Sequence, residues 1–124
     1  MNAVEIEEAV SKLAEAPFDA EEFPFAFLEA FGNKATTIAR LKKTGKDSTN
    51  HSDMGGILQR DNIHIKVCEV GKVQETLTAL QQSPATTRHK VKFILATDGQ
   101  TLEAENLIEG ETIACNYPDF HNHF

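Results

Sequence analysis

The sequence predicts an α/β or α+β fold in which helices come first and a mixed β-sheet is flanked by helices. Three patterns lead to this prediction: helical spacing of apolar residues up to about residue 43, strict alternation over 63–68, and a continuous apolar run over 93–96. The chain has 124 residues and is 40% hydrophobic, which suits one domain with its own core. We therefore expect a single domain spanning residues 1–124.

Three helices are predicted in the first third of the chain. Residues 4–15 carry apolar side chains at helical spacing. Asp19, with Glu22 three residues later, resembles a capping box and predicts the start of a second helix with a stripe of phenylalanines. A third helix is expected over roughly 34–43, and its basic side chains should face outward: Lys34, Arg40, Lys42 and Lys43.

The remaining chain predicts strands arranged around one more helix. A polar loop at 44–53 contains nothing that could fill a core. A helix is expected over 71–82, and a loop containing Pro84 should follow it. Apolar runs and turn signals predict strands at 57–59, 63–68, 91–97, 102–106 and 112–116.

The chain carries no sign of export or of a membrane segment. Its N-terminus is acidic and lacks the apolar stretch of a signal peptide, and no apolar run approaches the roughly 20 residues that a membrane span needs. Cys68 and Cys115 lie in apolar runs, which predicts buried, reduced thiols of a cytoplasmic protein. A disulfide between them is the alternative. The tail at 121–124 has no closing element, so we expect an N-terminal fragment of a longer protein.

Charge is distributed unevenly along the sequence. The net charge of −7 argues against a free-standing nucleic-acid binder. Residues 1–32 carry eight acids and one base, and residues 93–124 carry six acids and no base. Residues 33–92 instead carry eleven bases and five acids, which suits a domain with one anion-facing side. Ordinary surface charge remains the alternative.

One group of polar residues is a candidate site. Asp53 precedes the strand at 57–59, and His64 and Lys66 share one face of the strand at 63–68. We expect the hairpin to bring the two strand starts together. Nucleases place a carboxylate beside a strand that bears carboxylate-x-lysine, because the acids bind Mg²⁺ and the lysine steadies the attacking water. The alternative is the polar face of a half-exposed strand. Glu29, a single acid among apolar neighbours, is a further candidate.

These motifs resemble those of a known family. The stretches FLEAFG at 27–32, DMGGIL at 53–58 followed by NIHIK at 62–66, KVKFILATDG at 90–99 and LEAENL at 102–107 resemble, in order and spacing, the N-terminal domain of MmeI-like restriction-modification proteins. In that family a nuclease domain of the PD-(D/E)xK type precedes an adenine-N6 DNA methyltransferase that uses S-adenosylmethionine. The resemblance implies a restriction-endonuclease-like fold here and a methyltransferase beyond residue 124, in a bacterial protein.

The resemblance also implies roles for the candidate residues. Asp53 matches the metal-binding aspartate, Lys66 the catalytic lysine and Glu29 the helix acid. His64 stands where the second carboxylate belongs, and imidazole is a poor ligand for Mg²⁺. Mg²⁺ is therefore expected only if nuclease activity is retained, and S-adenosylmethionine is expected in the parent protein and not in these residues.

Three functions follow as hypotheses. The first is a degenerate nuclease-like domain that contacts DNA, through the parent protein, or docks against the methyltransferase domain of the same chain. The second is an active Mg²⁺-dependent endonuclease that cleaves DNA. The third is an unrelated small α/β protein-interaction domain whose resemblance to the family is accidental.

Overall fold

A computed structural model describes residues 2–43 and 45–123 of the chain and confirms the mixed α/β class. Met1, Thr44 at the start of the predicted polar loop, and Phe124 at the end of the predicted tail lie outside the described residues. Within the described residues, the α-helices are α1 (Ala3–Glu15), α2 (Phe23–Ala30), α3 (Ala35–Lys42), α4 (Val73–Gln82) and α5 (Pro84–Arg88).

The sheet follows the order of its strands in the sequence, β1-β2-β3-β4-β5. β2 and β3 are parallel, and the other neighbouring pairs are antiparallel. Helices α4 and α5 form the crossover that parallel pairing requires. The strands are β1 (Ile57–Gln59), β2 (Ile63–Val67), β3 (Phe93–Thr97), β4 (Thr101–Asn106) and β5 (Thr112–Asn116).

Each face of the sheet supports its own apolar cluster. Ile63 and Ile65 of β2 point toward the first face, where they pack with side chains of α1, α2 and α3. Leu58 and Ile94 point toward the second face, where they pack with α4 and α5. The alternation over 63–68 therefore predicted correctly that one face of β2 is aliphatic and that His64 and Lys66 lie on the other.

Two expectations about connecting segments were wrong. The loop predicted around Pro84 is the short helix α5, because proline at the first helical position has no amide hydrogen to leave unpaired. The C-terminal tail does have a closing element, a 3₁₀ helix over Tyr117–Asn122. Tyr117 and Phe120 are buried there and pack against the first-face cluster, which anchors the segment.

Smaller differences concern the start of α2 and the cysteines. Asp19 accepts hydrogen bonds from the amides of Glu21 and Glu22, so it caps a turn that precedes α2 rather than α2 itself. Both cysteines are free and only half-buried. Cys68 packs at the second face and Cys115 at the first. No helix in the described ranges combines the length and apolarity needed to cross a membrane.

Candidate functional site

The Asp53 loop, which we define as residues 48–56, is ordered by its own side chains. The Asn50 carboxamide oxygen accepts from the amides of Ser52 and Leu58 at 3.0 and 2.9 Å. Its amide nitrogen donates to the Gly56 carbonyl at 3.0 Å. One polar side chain therefore satisfies three backbone groups and holds the loop against the start of β1.

Two glycines let the Asp53 loop approach β2 closely. Gly56 leaves no room for a side chain, because a Cβ atom there would collide with the carbonyl oxygen of Ile65. Gly55 has φ of +75°, a conformation that glycine adopts without steric cost. A Cβ atom on Gly55 would lie 3.5 Å from the Lys66 ammonium nitrogen, so this lysine reaches over the loop.

His64 is fully buried beneath this loop, with 0% of its surface exposed, and both ring nitrogens are hydrogen-bonded. Nε2 lies 2.7 Å from the Ser52 hydroxyl, and Nδ1 lies 2.9 Å from the Thr86 hydroxyl. The imidazole thus bridges the Asp53 loop and helix α5 across the second face of the sheet.

The surrounding hydrogen bonds determine the tautomer of His64. The Thr86 hydroxyl donates to the Leu80 carbonyl at 2.8 Å, so its oxygen accepts from Nδ1–H. The Ser52 oxygen accepts from the amides of Met54 and Gly56, at 3.2 and 3.1 Å, so its proton is donated to Nε2. Every donor in this series of hydrogen bonds, from Ser52 through His64 to Thr86, has an acceptor when His64 is neutral and protonated at Nδ1.

Burial also keeps His64 neutral. It lowers the pKa of His64 to about 4, and the nearby ammonium of Lys66 acts in the same direction. The negative charge of Asp53 opposes this effect without overcoming it. At neutral pH His64 is therefore a hydrogen-bonding link between two segments, with its free lone pair already used by Ser52.

Asp53 is exposed, and its carboxylate is anchored to the start of α5. One oxygen accepts from the Ser83 hydroxyl at 2.6 Å, and the other accepts from the Ala85 amide at 3.4 Å. The Ser83 hydrogen bond lowers the pKa of Asp53 below its usual value, and the Ala85 amide adds to this effect. The carboxylate therefore carries its charge at neutral pH and docks the Asp53 loop on α5.

The structure brings three of the four predicted site residues together. Asp53 and Lys66 both lie near His64 on the second face. In the part of the chain that the structure describes, Asp53 and Lys66 do not form an ion pair within 4.0 Å. Glu29 is exposed on α2, which packs against the first face, so the sheet separates it from Lys66.

The expected hairpin geometry needs one correction. The pairing of Ile57 with Ile65 places the start of β1 beside the end of β2, because the two strands are antiparallel. The start of β2, at Ile63, lies instead beside Gln59 at the end of β1. The segment that precedes β1, which carries Asp53, therefore approaches β2 near Lys66 and not near the start of the strand.

The chain matches the family described as "MmeI, N-terminal domain" over residues 1–124, its whole length. The chain belongs to the MmeI N-terminal domain family. This confirms the resemblance seen in the sequence and makes the chain a domain of the restriction-modification type. No curated protein and no solved structure matches it.

Membership in this family contradicts the hypothesis that the resemblance is accidental. The resemblance seen in the sequence implied a second carboxylate at the position of His64. In this MmeI-type domain the position holds a buried neutral imidazole whose bonds are directed to Ser52 and Thr86.

The residues present do not form a suitable donor set for Mg²⁺. Hard divalent cations take oxygen ligands, usually several carboxylates and carbonyls. Here Asp53 supplies a single carboxylate that is already held by α5, and His64 offers no free lone pair. Among residues 2–43 and 45–123, no three His, Cys, Asp or Glu side chains are grouped so as to hold a metal ion.

Sequence reasoning missed the residues that hold the candidate site together. Ser52, Ser83 and Thr86 each place a hydroxyl on His64 or Asp53. Ser52 stands beside Asp53 in the sequence, and this adjacency is the one signal that could have suggested it. Thr86 lies 22 residues from its partner, and Ser83 lies 30 residues from its own, so their roles depend on the tertiary fold.

Proposed function

We propose that this chain is a degenerate nuclease-like domain that contacts DNA without cleaving it. In this proposal it belongs to a polypeptide that also carries an adenine methyltransferase dependent on S-adenosylmethionine. The observation that carries the proposal is the state of His64, which is buried, neutral and hydrogen-bonded through both nitrogens. The resemblance to the family implies an acid at this position.

The chemistry of the site supports the loss of cleavage. A metal-dependent nuclease uses acids to hold the cation, and the bound cation would lower the pKa of the attacking water. Converting His64 into a ligand would require breaking its contact with Ser52 and exposing the ring, which would remove the bridge that His64 forms between the Asp53 loop and α5. Lys66 remains available to interact with a phosphate. Its ammonium group and the single carboxylate of Asp53, which is already hydrogen-bonded to Ser83 and Ala85, do not activate water by themselves.

The charge distribution supports DNA as the partner. Residues 33–92 carry eleven bases against five acids, although the whole chain is acidic. Five of these bases and one acid lie at 34–47, in and beside α3, which packs on the first face. The other six bases and four acids lie at 48–92, the part that carries β1, β2, α4 and α5. Positive charge is therefore available on both sides of the sheet. A domain of this kind gains affinity for DNA through local phosphate contacts, and the acidic remainder limits non-specific binding.

A second candidate function is an active Mg²⁺-dependent endonuclease. It is favoured by the approach of the Asp53 loop to the end of β2, where Lys66 reaches over Gly55. In that case Asp53 would bind the cation and Lys66 would orient the attacking water. The DNA itself or the rest of the polypeptide would have to supply the missing oxygen ligands.

A cleavage assay separates the two candidates. The full chain is incubated with supercoiled plasmid and Mg²⁺ or Mn²⁺, beside the variants Asp53→Ala and Lys66→Ala purified in the same way. We expect the same absence of nicking from all three proteins. Metal-dependent nicking by the native chain that both substitutions abolish would overturn the proposal and establish the endonuclease.

Binding to DNA is measured separately, by fluorescence anisotropy with a labelled duplex at low ionic strength. We expect binding that weakens as salt is added, since phosphate contacts release counterions. If the native chain does not bind at all, the DNA-contact role is wrong, even if cleavage is also absent.

A further inference from the structure

One edge of the molecule joins the β1–β2 turn to the end of α5. The amide of Asp61 donates to the carbonyl of His89 at 2.9 Å. The amides of Lys92 and Phe93 both donate to the carbonyl of Asn62, at 2.9 and 3.0 Å. These backbone bonds fix two short segments side by side at the start of β2 and β3.

This edge concentrates positive charge. We use the name "basic edge" for its four exposed cations, which are Arg60, Arg88, Lys90 and Lys92. Among the described residues, one of these four cations forms an ion pair: Arg60 lies 4.0 Å from Asp61, and the two side chains are 68% and 62% exposed. A pair this long and this exposed neutralises little charge, so the basic edge presents a net positive surface.

Two aromatic rings complete the surface. His51 of the Asp53 loop stacks on His89 at the end of α5, with ring centroids 4.2 Å apart and planes 14° from parallel. Partial burial lowers the pKa of His89, and the neighbouring His51, Arg60 and Arg88 act in the same direction. The guanidinium groups and the ring N–H groups therefore lie together, and these are the donors that phosphates accept from in protein–DNA complexes.

The backbone at this edge is unusual. Asp61 and Lys90 have φ of +62° and +55°, and they are the non-glycine residues with positive φ in the part of the chain that the structure describes. Glycine would adopt this conformation more readily than lysine. The sequence therefore places a charged side chain at this edge at a position that glycine would occupy with less strain.

We propose that the basic edge, with the stacked pair His51 and His89, binds the phosphate backbone of DNA. The inference rests on the proposed DNA contact and names the surface that makes it. Ile63, the first residue of β2, lies beside the basic edge. Lys66 lies three residues further along the strand, which is roughly 10 Å away from Ile63. DNA is therefore bound at the start of β2, next to the degenerate site but not in it.

The test compares matched losses of charge in the full chain. The double variant Arg60→Ala/Arg88→Ala removes two cations from the basic edge. The control, Lys12→Ala/Lys43→Ala, removes two exposed cations from α1 and from the end of α3, which pack on the first face. Binding of a labelled duplex is measured by anisotropy over a series of salt concentrations.

We expect the edge variant to bind at least tenfold more weakly at low salt. The slope of log K against log salt should fall by about 2, which corresponds to two lost phosphate contacts. The control should keep the native slope. Because both variants lose the same net charge, a difference between them reports the location of the bound DNA.

Lys90→Gly separates binding from folding. It removes one charge and also relieves the constraint at φ of +55°, so the melting temperature should stay the same or rise while the salt slope falls by about 1. Unchanged binding by the edge variants, or an equal loss in the control, would overturn the proposal that DNA binds at the basic edge. The proposed contact with DNA would then have to lie elsewhere on the domain. Absence of binding by the native chain would instead overturn the proposed function itself.

Discussion

The two faces of the sheet are stabilised in different ways. The first face is covered by α1, α2 and the C-terminal 3₁₀ helix, and its core is a cluster of rings in tilted or edge-to-face contact, Phe18, Phe23, Phe27, Tyr117 and Phe120. The second face is covered by α4 and α5. Its apolar core is smaller, and His64, Ser83 and Thr86 are buried beside it.

This difference separates a face held by apolar packing from a face held by a buried hydrogen-bond network. Apolar packing is non-directional and does not depend on pH. A buried polar network requires every partner to be present, because a donor or acceptor left without a partner is costly. The first face should therefore respond to changes in volume, and the second face to changes in protonation and in single hydroxyl groups.

The largest expected effect is on the first face. Phe23 is 2% exposed and contacts four other aromatic rings. Phe23→Ala should lower the free energy of unfolding by about 4 kcal/mol, from lost burial and a residual cavity. Urea denaturation measures this, and Phe23→Leu should recover much of the loss. A loss that changed markedly between pH 7 and pH 4.5 would contradict a purely apolar role.

The next effect is a pH dependence that arises on the second face. His64 has a pKa of about 4 when folded and an ordinary value of 6.5 when unfolded, so between these values the unfolded chain binds more protons. Stability should therefore fall as the pH drops from 7 toward 4, by about 3 kcal/mol in total. Urea denaturation across this range measures the loss.

Two variants identify the residue responsible. His64→Gln should remove most of this slope. His89→Gln should remove a smaller part, because the pKa of His89 is also lowered but its ring is only partly buried. Asp53 and Asp98 have lowered pKa values and titrate below this window, so they do not account for it. A flat profile between pH 7 and 4.5 in the native chain would show that His64 accepts a proton without cost.

The smallest of the three effects concerns a single hydroxyl. Ser52→Ala leaves Nε2 of His64 without its donor and removes the acceptor of two backbone amides, so it should destabilise the domain by about 2 kcal/mol. Ser48→Ala is a matched control in the same loop, because its hydroxyl accepts from one amide only. Equal losses in both variants would indicate that the contact with His64 adds nothing.

Local patterns in the sequence were enough to predict most of the fold. Alternation over 63–68 assigned the faces of β2 correctly, and Asp98-Gly99 marked the β3–β4 turn. Patterns failed where a short element is formed by tertiary contacts. Helix α5 and the C-terminal 3₁₀ helix both begin at or next to a proline, and each is held in place by buried partners such as Thr86 and Phe120.

The sequence predicted a common location for three residues of the candidate site, but not their hydrogen-bond partners or the state of His64. The spacing of Asp53, His64 and Lys66 indicated a common location, and the structure places these residues near one another. The state of His64 could not be predicted, because its partners lie 12 and 22 residues away in segments without a recognisable motif. The roles of Asp53, Lys66 and Glu29 in chemistry stay predictions that the cleavage assay addresses.

The sequential order of the strands has a consequence for the folding pathway. The three strands β3, β4 and β5 form a meander within residues 93–116, so their contacts close short loops and can form early. The β2–β3 pair must wait until the crossover of residues 68–92 has been enclosed. We therefore expect the meander to be the folding nucleus. The hydrogen bonds of His64 with Ser52 and Thr86 should form late and should open first during unfolding.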